Sequence, residues 1–260
     1  MTINFHLEPA SRELFHAHGL HSFEVLMHGA LGDMVSCASD RRKLYRLSLV
    51  DRDGQRQCFY LKRMTGEPAI WLLKSLLAGR RPYCGPIREL QLLTALRSAG
   101  FAVMRPVAWG EARRNGLPQG GFLVVAEVQG ADVAGLSATL PSPERRGLLR
   151  GVGQLIGRLH AAGFFQPVRL KDLIREEPSQ QLVMIDRETS KPWPVRFSRQ
   201  RALTALARTA RRTLRDGHRF GPAGVRDFLE GYGEGVASRW TVARAELRHL
   251  VFTRFRKELD

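Results

Sequence analysis

Hydrophobic and polar residues alternate in short runs through the first half of the chain, the pattern of strands with one buried face. Three runs bounded by turn residues predict the strands Phe23–Leu26, Lys43–Val50 and Gln57–Lys62. Asp51-Arg52-Asp53-Gly54 predicts a hairpin turn between the last two. Two later runs, Phe101–Trp109 and Gly121–Glu127, predict further strands. We therefore expect an antiparallel five-stranded sheet.

Two segments with helical spacing separate the third predicted strand from the fourth. Residues 69–81 are apolar on most of the helical circumference and end in two arginines, which fits either a helix packed in a core or one resting on a membrane surface. Pro82 and Pro86 break this helix. Residues 87–99 then predict the main helix of this half, with Gly100 as its stop.

Beyond Gly130 the pattern is helical. Predicted helices run from Pro143 to Gly163, from Ser198 to Leu214 and from Gly224 to Phe255. A sheet followed by helices is the order of an α+β protein. We place the boundary near residues 128–132, between an N-terminal lobe of residues 1–128 and a mostly helical C-terminal lobe of residues 129–260.

The charge of the chain predicts an anionic partner. Forty-one Lys and Arg residues against 25 Asp and Glu residues give a formal charge of +16. Such an excess suits nucleic acid, an anionic membrane surface, a nucleotide or a phosphorylated sugar. Nucleic acid is the weakest of these, because the arginine-rich stretch after Asp186 has only Phe197 nearby for stacking on bases.

The cysteines and the N-terminus indicate a cytoplasmic protein. Cys37, Cys58 and Cys84 are odd in number and lack metal-ligand spacing, so neither a disulfide framework nor a zinc site is predicted. The residues after Met1 lack the basic-then-apolar order of a signal peptide. No apolar run approaches the ~20 residues that span a bilayer. We expect a soluble or peripheral protein.

A lysine and a glutamate in the first half suggest a nucleotide site. Lys62 ends the third predicted strand, and Glu89 lies in the first turn of the helix after Pro86. Protein kinases hold the α- and β-phosphates of ATP with a strand lysine that pairs with a glutamate on the next helix. The alternative is a solvated lysine at a sheet edge and a glutamate that merely suits the positive end of a helix.

Three more residues of the first half could bind the nucleotide. Gly29 and Gly32 lie in a short loop that would let backbone amides approach phosphates, although an ordinary turn explains them equally well. Glu127 ends the last predicted strand, where a kinase has the segment that faces adenine. In the second half, the apolar strand Leu182–Ile185 delivers Asp186, as a kinase strand delivers an aspartate to magnesium.

Taken in order, these motifs resemble a known family. The markers, between Phe23 and Tyr232, are Tyr60-Leu61-Lys62, Arg88-Glu89-Leu90, Arg158-Leu159-His160-Ala161-Ala162-Gly163-Phe164, Arg169-Leu170-Lys171-Asp172-Leu173-Ile174 and Ile185-Asp186-Arg187-Glu188. They are similar to the lipopolysaccharide kinases of Gram-negative bacteria, the InaA-type group that phosphorylates heptose or Kdo sugars of the lipid A core. The resemblance implies a two-lobed protein-kinase-like fold, with ATP and Mg²⁺ as cofactors.

The resemblance also implies roles for single residues. Lys62 would bind the ATP phosphates, Glu89 would orient Lys62, and Asp186 would coordinate Mg²⁺. The acceptor would be an anionic lipopolysaccharide or a phosphorylated sugar, met at the cytoplasmic face of the inner membrane. Such an enzyme is a phosphotransferase with an alcohol group as acceptor.

The loop before Asp186 departs from the family. Gln166-Pro167-Val168 stand where the family has His-x-Asp, so Val168 occupies the place of the loop aspartate. With one residue deleted, Asp172 takes the position of the metal-binding Asn and would hold a second Mg²⁺ or reach the acceptor hydroxyl. Two functions therefore stay open, an active lipopolysaccharide core kinase and a pseudokinase that serves as a binding or scaffold protein. Nucleic-acid binding is the third hypothesis.

Overall fold

The computed structural model describes residues 1–186, 192–240 and 249. The described chain divides into two compact units. The first comprises Met1–Ser98 and Val103–Val128, and the second comprises Ala99–Ala102, Gln129–Asp186 and the described residues from Trp193 onward.

The first unit is built on one antiparallel sheet. Its strands are β1 (Thr2–Leu7), β2 (Asp33–Ser39), β3 (Arg42–Val50), β4 (Arg56–Thr65), β5 (Pro106–Arg114) and β6 (Leu117–Ala126), in the order β1-β5-β6-β4-β3-β2. The helices are α1 (Arg12–Ala17), α2 (Phe23–His28), α3 (Ala69–Leu77) and α4 (Gly85–Ser98). The core is formed by apolar side chains of the sheet and of α1 and α2, with Phe15, Phe59 and Phe122 among the most buried.

The predicted strand Phe23–Leu26 is wrong, because these residues begin the helix α2. The Ser22 side chain accepts a hydrogen bond from the Val25 N–H at 3.2 Å and caps the helix. Phe23, Leu26 and Met27 are buried, at the spacing of three and four residues that places side chains on one helical face.

The sheet has six strands rather than the predicted five. Two strands escaped prediction: β1 adds to the edge beside β5, and β2 pairs with β3. The predicted turn at Asp51 is confirmed, since the Gly54 N–H donates to the Asp51 carbonyl at 3.1 Å. The helix predicted from residue 87 is confirmed as α4, which begins two residues earlier.

The second unit is mainly helical, as predicted. It contains α5 (Val133–Thr139), α6 (Ser142–Ala161), α7 (Arg199–Arg215) and α8 (Pro222–Val236), with a small antiparallel sheet of β7 (Gly130–Asp132), β8 (Leu173–Glu176) and β9 (Leu182–Met184). The predicted extension of the last helix to Phe255 falls on residues 241–248 and 250–255, which lie outside the described residues. The α+β class is confirmed.

Glycines let α6 and α8 approach closely. A Cβ added at Gly157 would overlap the Tyr232 carbonyl oxygen and lie 2.9 Å from the Gly235 Cα. A Cβ at Gly153 would lie 2.8 Å from the Tyr232 nitrogen. Both pairs of helix glycines, 153 with 157 and 231 with 235, have the four-residue spacing that brings two backbones together.

Candidate active site

Lys62 and Glu89 form an ion pair in the first unit. The Lys62 Nζ lies 2.7 Å from the Glu89 Oε1, and the two side chains are 19% and 5% exposed. Lys62 stands on β4, which lies between β3 and β6, opposite Leu44 on one side and Leu123 on the other. The alternative of a solvated edge lysine is therefore wrong.

The position of this pair follows from the local sequence. Strand β4 continues past Lys62 to Thr65, and α4 begins at Gly85 and packs against β4, β5 and β6. Glu89 is thus in the first turns of a helix that lies on the sheet. A poorly solvated ammonium group attracts an anion more strongly than one in water, so Lys62 is suited to phosphate oxygens.

Gly29 and Gly32 each have a reason to be glycine within the fold. The Gly29 N–H donates to the Val25 carbonyl at 2.9 Å and ends α2, and a Cβ there would lie 2.7 Å from that oxygen. Gly32 has φ +58°, and a Cβ there would lie 2.8 Å from the Leu47 Cδ2. Nucleotide binding by this loop stays a prediction.

The hairpin between β2 and β3 was missed by the sequence reasoning. Protein kinases cover the phosphates with the loop that joins the two strands preceding the lysine strand. In this chain that hairpin is the turn from Ser39 to Arg42, and the Arg41 carbonyl accepts a hydrogen bond from the Thr65 N–H at 2.9 Å. Its sequence, Ser-Asp-Arg-Arg, contains no glycine that would have marked it.

Glu127 is held by two side chains of the sheet. Its carboxylate accepts hydrogen bonds from Arg46, at 3.1 and 3.2 Å, and from the Tyr60 hydroxyl at 3.0 Å. The hydrogen bond to Glu127 raises the pKa of Arg46, and burial raises that of Tyr60. The Glu127 N–H donates to the Cys58 carbonyl at 2.9 Å. Nucleotide binding by Glu127 stays a prediction.

Asp172 and Asp186 come together in the second unit. Antiparallel pairing of β8 with β9 sets Leu173 opposite Met184. Asp172, the residue before β8, therefore lies beside Ile185, the residue after β9. The Ile185 N–H donates to the Asp172 carbonyl at 2.9 Å. Asp186 has φ +50°, in the left-handed region that Asp tolerates better than most residues.

A salt bridge fixes the loop that carries Asp172. The Arg169 guanidinium donates to both carboxylate oxygens of Asp216, at 2.8 and 2.5 Å. This bidentate bond raises the pKa of Arg169, to which the charges of Asp172 and Asp186 also contribute, and it lowers the pKa of Asp216. Sequence reasoning missed the pair, because its residues are 47 positions apart.

Val168 faces the interior of the second unit. Its side chain is 1% exposed, and its N–H donates to the Thr209 hydroxyl on α7 at 3.1 Å. The position that the family gives to an aspartate is therefore filled by a packed apolar side chain.

His160 of the marker motif packs in the second unit and is 1% exposed. Its Nδ1 lies 2.9 Å from the hydroxyl of the buried Tyr232.

Two carboxylates of the second unit are candidates for a magnesium ion that is bound together with phosphates. Within residues 1–186, 192–240 and 249, no group of three or more His, Cys, Asp and Glu side chains could hold a metal ion. Mg²⁺ in kinase sites uses one or two carboxylates and takes its other ligands from phosphates and water. The Ile185–Asp172 backbone hydrogen bond places Asp172 beside the segment that ends in Asp186, so these two residues are the candidates for such carboxylates. Arg187 and Glu188, which end the last marker motif, lie outside the described residues.

Comparison with known proteins identifies relatives of this chain. Residues 27–232 match the Lipopolysaccharide kinase (Kdo/WaaP) family. The lipopolysaccharide core heptose(I) kinase WaaP of Pseudomonas aeruginosa is 33% identical over 98 residues, which are 35% of this chain and 37% of that protein. The protein of the same name from Escherichia coli is 31% identical over 111 residues, 40% of this chain and 42% of that protein. The chain thus aligns with less than half of either relative.

A solved structure shares the fold. The structure described as WaaP in complex with acyl carrier protein matches with a TM-score of 0.65 and 20% sequence identity, and the match covers 99% of each chain. This likeness confirms the kinase-like fold that the motifs predicted. No helix among the described residues is long and apolar enough to cross a membrane.

Proposed function

The chain belongs to the lipopolysaccharide kinase (Kdo/WaaP) family, and we propose that it transfers a phosphoryl group from ATP to a sugar of the lipopolysaccharide core. Membership of a kinase family implies the use of ATP. The observation that carries the proposal is the ion pair of the half-buried Lys62 with the buried Glu89, with 2.7 Å between Nζ and Oε1. The family match gives no support to the nucleic-acid hypothesis.

Each unit would supply part of the chemistry. Lys62 would offset the negative charge of the phosphates, and Glu89 would keep the Lys62 ammonium in place. Asp172 and Asp186 would hold Mg²⁺. The bound Mg²⁺–ATP would supply the phosphoryl group and neutralise charge during transfer. We further propose, from the sequence alone, that Gly29, Gly32 and Glu127 contribute to the nucleotide site.

The acceptor would be anionic. Helix α7 exposes Arg201, Arg208, Arg211, Arg212 and Arg215. Their spacings of three, four and seven residues place them on one side of the helix. Such a face would attract phosphorylated sugars or lipid phosphates. We place the reaction at the cytoplasmic face of the inner membrane, where a peripheral protein would meet its lipid-linked acceptor.

A pseudokinase is the second candidate, and Val168 favours it. General-base catalysis needs a proton acceptor at the loop position, and a buried valine provides none. Phosphoryl transfer depends mainly on positioning and charge neutralisation, so the missing aspartate alone does not abolish activity. In the pseudokinase hypothesis the nucleotide binds, and the protein serves as a scaffold in lipopolysaccharide biosynthesis.

Thermal unfolding with ATP, with and without Mg²⁺, tests the nucleotide and metal site. A ligand at a hundred times its dissociation constant stabilises the folded state by about 2.7 kcal/mol. We expect a Mg²⁺-dependent rise in Tm that is lost in Asp186→Asn. Asparagine is the matched replacement, because it tolerates the left-handed backbone of Asp186 and removes only the charge. No rise at saturating Mg²⁺–ATP would contradict the proposal.

Phosphate transfer to lipopolysaccharide core separates the two candidates. The active kinase transfers labelled γ-phosphate to dephosphorylated core, and the pseudokinase gives the rise in Tm without transfer. Asp172→Asn assigns the role of Asp172. If Asp172 holds metal, the Mg²⁺-dependent rise in Tm falls. If it acts on the acceptor hydroxyl, the rise persists and only transfer is lost.

A further inference from the structure

Helix α3 presents an apolar face to the outside of the first unit. Ile70, Leu73, Leu76 and Leu77 are 57%, 52%, 51% and 79% exposed, and no residue of the helix is buried. The spacings of three and four residues put these side chains on neighbouring positions of one helical face. A core-packed helix, one of the two sequence interpretations, is therefore wrong.

The base of α3 is fixed to the start of helix α4 by buried charges. The Glu67 carboxylate, just before the helix, accepts a hydrogen bond from the Gly85 N–H at 2.6 Å and pairs with Arg88 at 3.2 Å. The Arg88 guanidinium also lies over the Trp71 ring, 4.9 Å from its centroid, on the inward side of α3. The helix is thus held in place by partners that leave its aliphatic face outside.

The segment that returns from α3 is fixed in the same way. The Cys84 N–H donates to Glu111 at 2.7 Å, and the Arg113 guanidinium donates to the Pro82 carbonyl at 3.1 Å. Glu111 and Arg113 pair with each other, and each side chain is 4% exposed. Breaking such a buried pair is costly, so these contacts keep the ends of the segment together.

The charge around α3 is positive throughout. No acidic residue occurs between Glu67 and Glu89, while Lys74, Arg80 and Arg81 are all exposed. A short helix with an aliphatic face and flanking basic residues has the composition of a helix that lies in the interface of an anionic membrane. Basic residues near an anionic membrane surface strengthen binding and make it depend on salt.

We propose that α3 docks the protein on an anionic phospholipid membrane, with Ile70, Leu73, Leu76 and Leu77 in the headgroup region and the basic residues on lipid phosphates. The proposal rests on the proposed function, because a kinase of the lipopolysaccharide core would meet a membrane-bound acceptor. The docking itself requires no nucleotide. A protein partner fits less well. A specific protein interface buries about 800 Å² on each side and is rich in aromatic residues, whereas the exposed face here is four aliphatic side chains.

Vesicle co-sedimentation of the full chain without nucleotide tests the docking. We expect the protein to pellet with vesicles of phosphatidylglycerol mixed with phosphatidylcholine, and to remain in solution with phosphatidylcholine alone. The double variant Leu73→Gln/Leu77→Gln should lower binding at least about tenfold, because two aliphatic contacts with lipid are lost. Val50→Gln is the matched control, since Val50 is 46% exposed on β3, and it should bind as the wild type does.

The basic residues are tested separately. Arg80→Gln/Arg81→Gln should weaken binding to anionic vesicles and reduce its dependence on salt. Thermal unfolding of every variant checks that it is folded, and the Mg²⁺–ATP-dependent rise in Tm of the leucine variant should equal that of the wild type. Failure of membrane docking is thereby distinguished from failure of the kinase proposal.

Three results would overturn the proposal. The first is equal pelleting of the leucine variant and the wild type. The second is equal binding of the wild type to neutral and anionic vesicles. The third is a wild-type chain that does not bind vesicles but binds purified acyl carrier protein, where the leucine substitutions abolish this binding. That result would assign α3 to an acidic protein partner.

Discussion

Replacing Gly157 by alanine should destabilise the second unit, although the same change usually stabilises a helix. Alanine restricts the unfolded chain and favours helix by about 1 kcal/mol relative to glycine. At Gly157 the added methyl group would overlap the Tyr232 carbonyl oxygen of α8. The three nearest obstacles to the methyl group, this oxygen and the carbonyl carbon and Cα of Gly235, are all backbone atoms, so no side-chain rotation can relieve the overlap.

The size of the effect follows from the distances. The new Cβ would lie 2.9 Å from the Gly235 Cα, whereas carbon atoms pack at about 3.5–4.0 Å. The helices must then separate by at least about 0.6 Å, and a gap of this order removes a quarter to a half of the dispersion energy of each affected contact. Overpacking of this kind costs about 1–3 kcal/mol. In a chain of this size each kcal/mol moves Tm by about 2–4 °C.

Gly147 provides the matched control on the same helix, α6. A Cβ at Gly147 meets nothing within 4 Å, so Gly147→Ala should raise the stability by about 0.5–1 kcal/mol. Thermal and urea unfolding of both variants should therefore give changes of opposite sign. If Gly157→Ala were as stable as Gly147→Ala, α6 and α8 would not pack at the distance described, and the reasoning would be refuted.

Three further predictions concern the candidate site. Lys62→Met should abolish the ATP-dependent rise in Tm and lower Tm without ligand, because the buried Glu89 loses its ion pair with Lys62. Lys62→Met/Glu89→Gln should recover the Tm but not the response to ATP. Val168→Asp, which would supply the family's loop aspartate, should lower Tm without raising the rate of phosphate transfer, since the carboxylate would enter the packed interior of the unit. A rise in turnover with unchanged Tm would contradict this. Asp216→Asn should lower Tm at neutral pH and lose this effect in acid. The bond from Arg169 lowers the folded-state pKa of Asp216, so its stabilisation is present above the ordinary aspartate pKa of about 4 and is lost as the pH falls through the lowered value. A difference in Tm that stays constant down to the acid limit would count against this ion pair.

Local signals account for the elements that position Lys62, Glu89 and Asp186. The strand that carries Lys62 contains the apolar run Cys58–Leu61 after a recognisable turn, and Pro86 marks the start of the helix that carries Glu89. Both elements form where the pattern places them, and their pairing follows from kinase topology. The same holds for the strand before Asp186, which is β9 in the structure.

The missed features depend on contacts that no local pattern shows. The run Phe23–Leu26 is too short to distinguish a strand from a helix, and the cap from Ser22 decides for the helix. The pairing of Arg169 with Asp216 joins distant parts of the chain. The inward direction of Val168 depends on how the loop packs against α7, which spacing alone does not reveal.

The closure of Glu67 on Gly85 has a consequence for the evolution and engineering of this chain. The two residues are hydrogen-bonded although they are 18 positions apart, so the chain leaves the end of β4 and enters α4 at one place. Residues 68–84 contribute no strand, and the sheet would remain continuous if they were shortened. The part of the segment before Pro82 can therefore change in length and sequence without rebuilding the sheet. Pro82 and Cys84 are constrained, because their backbone groups bond to the buried Arg113 and Glu111 of β5.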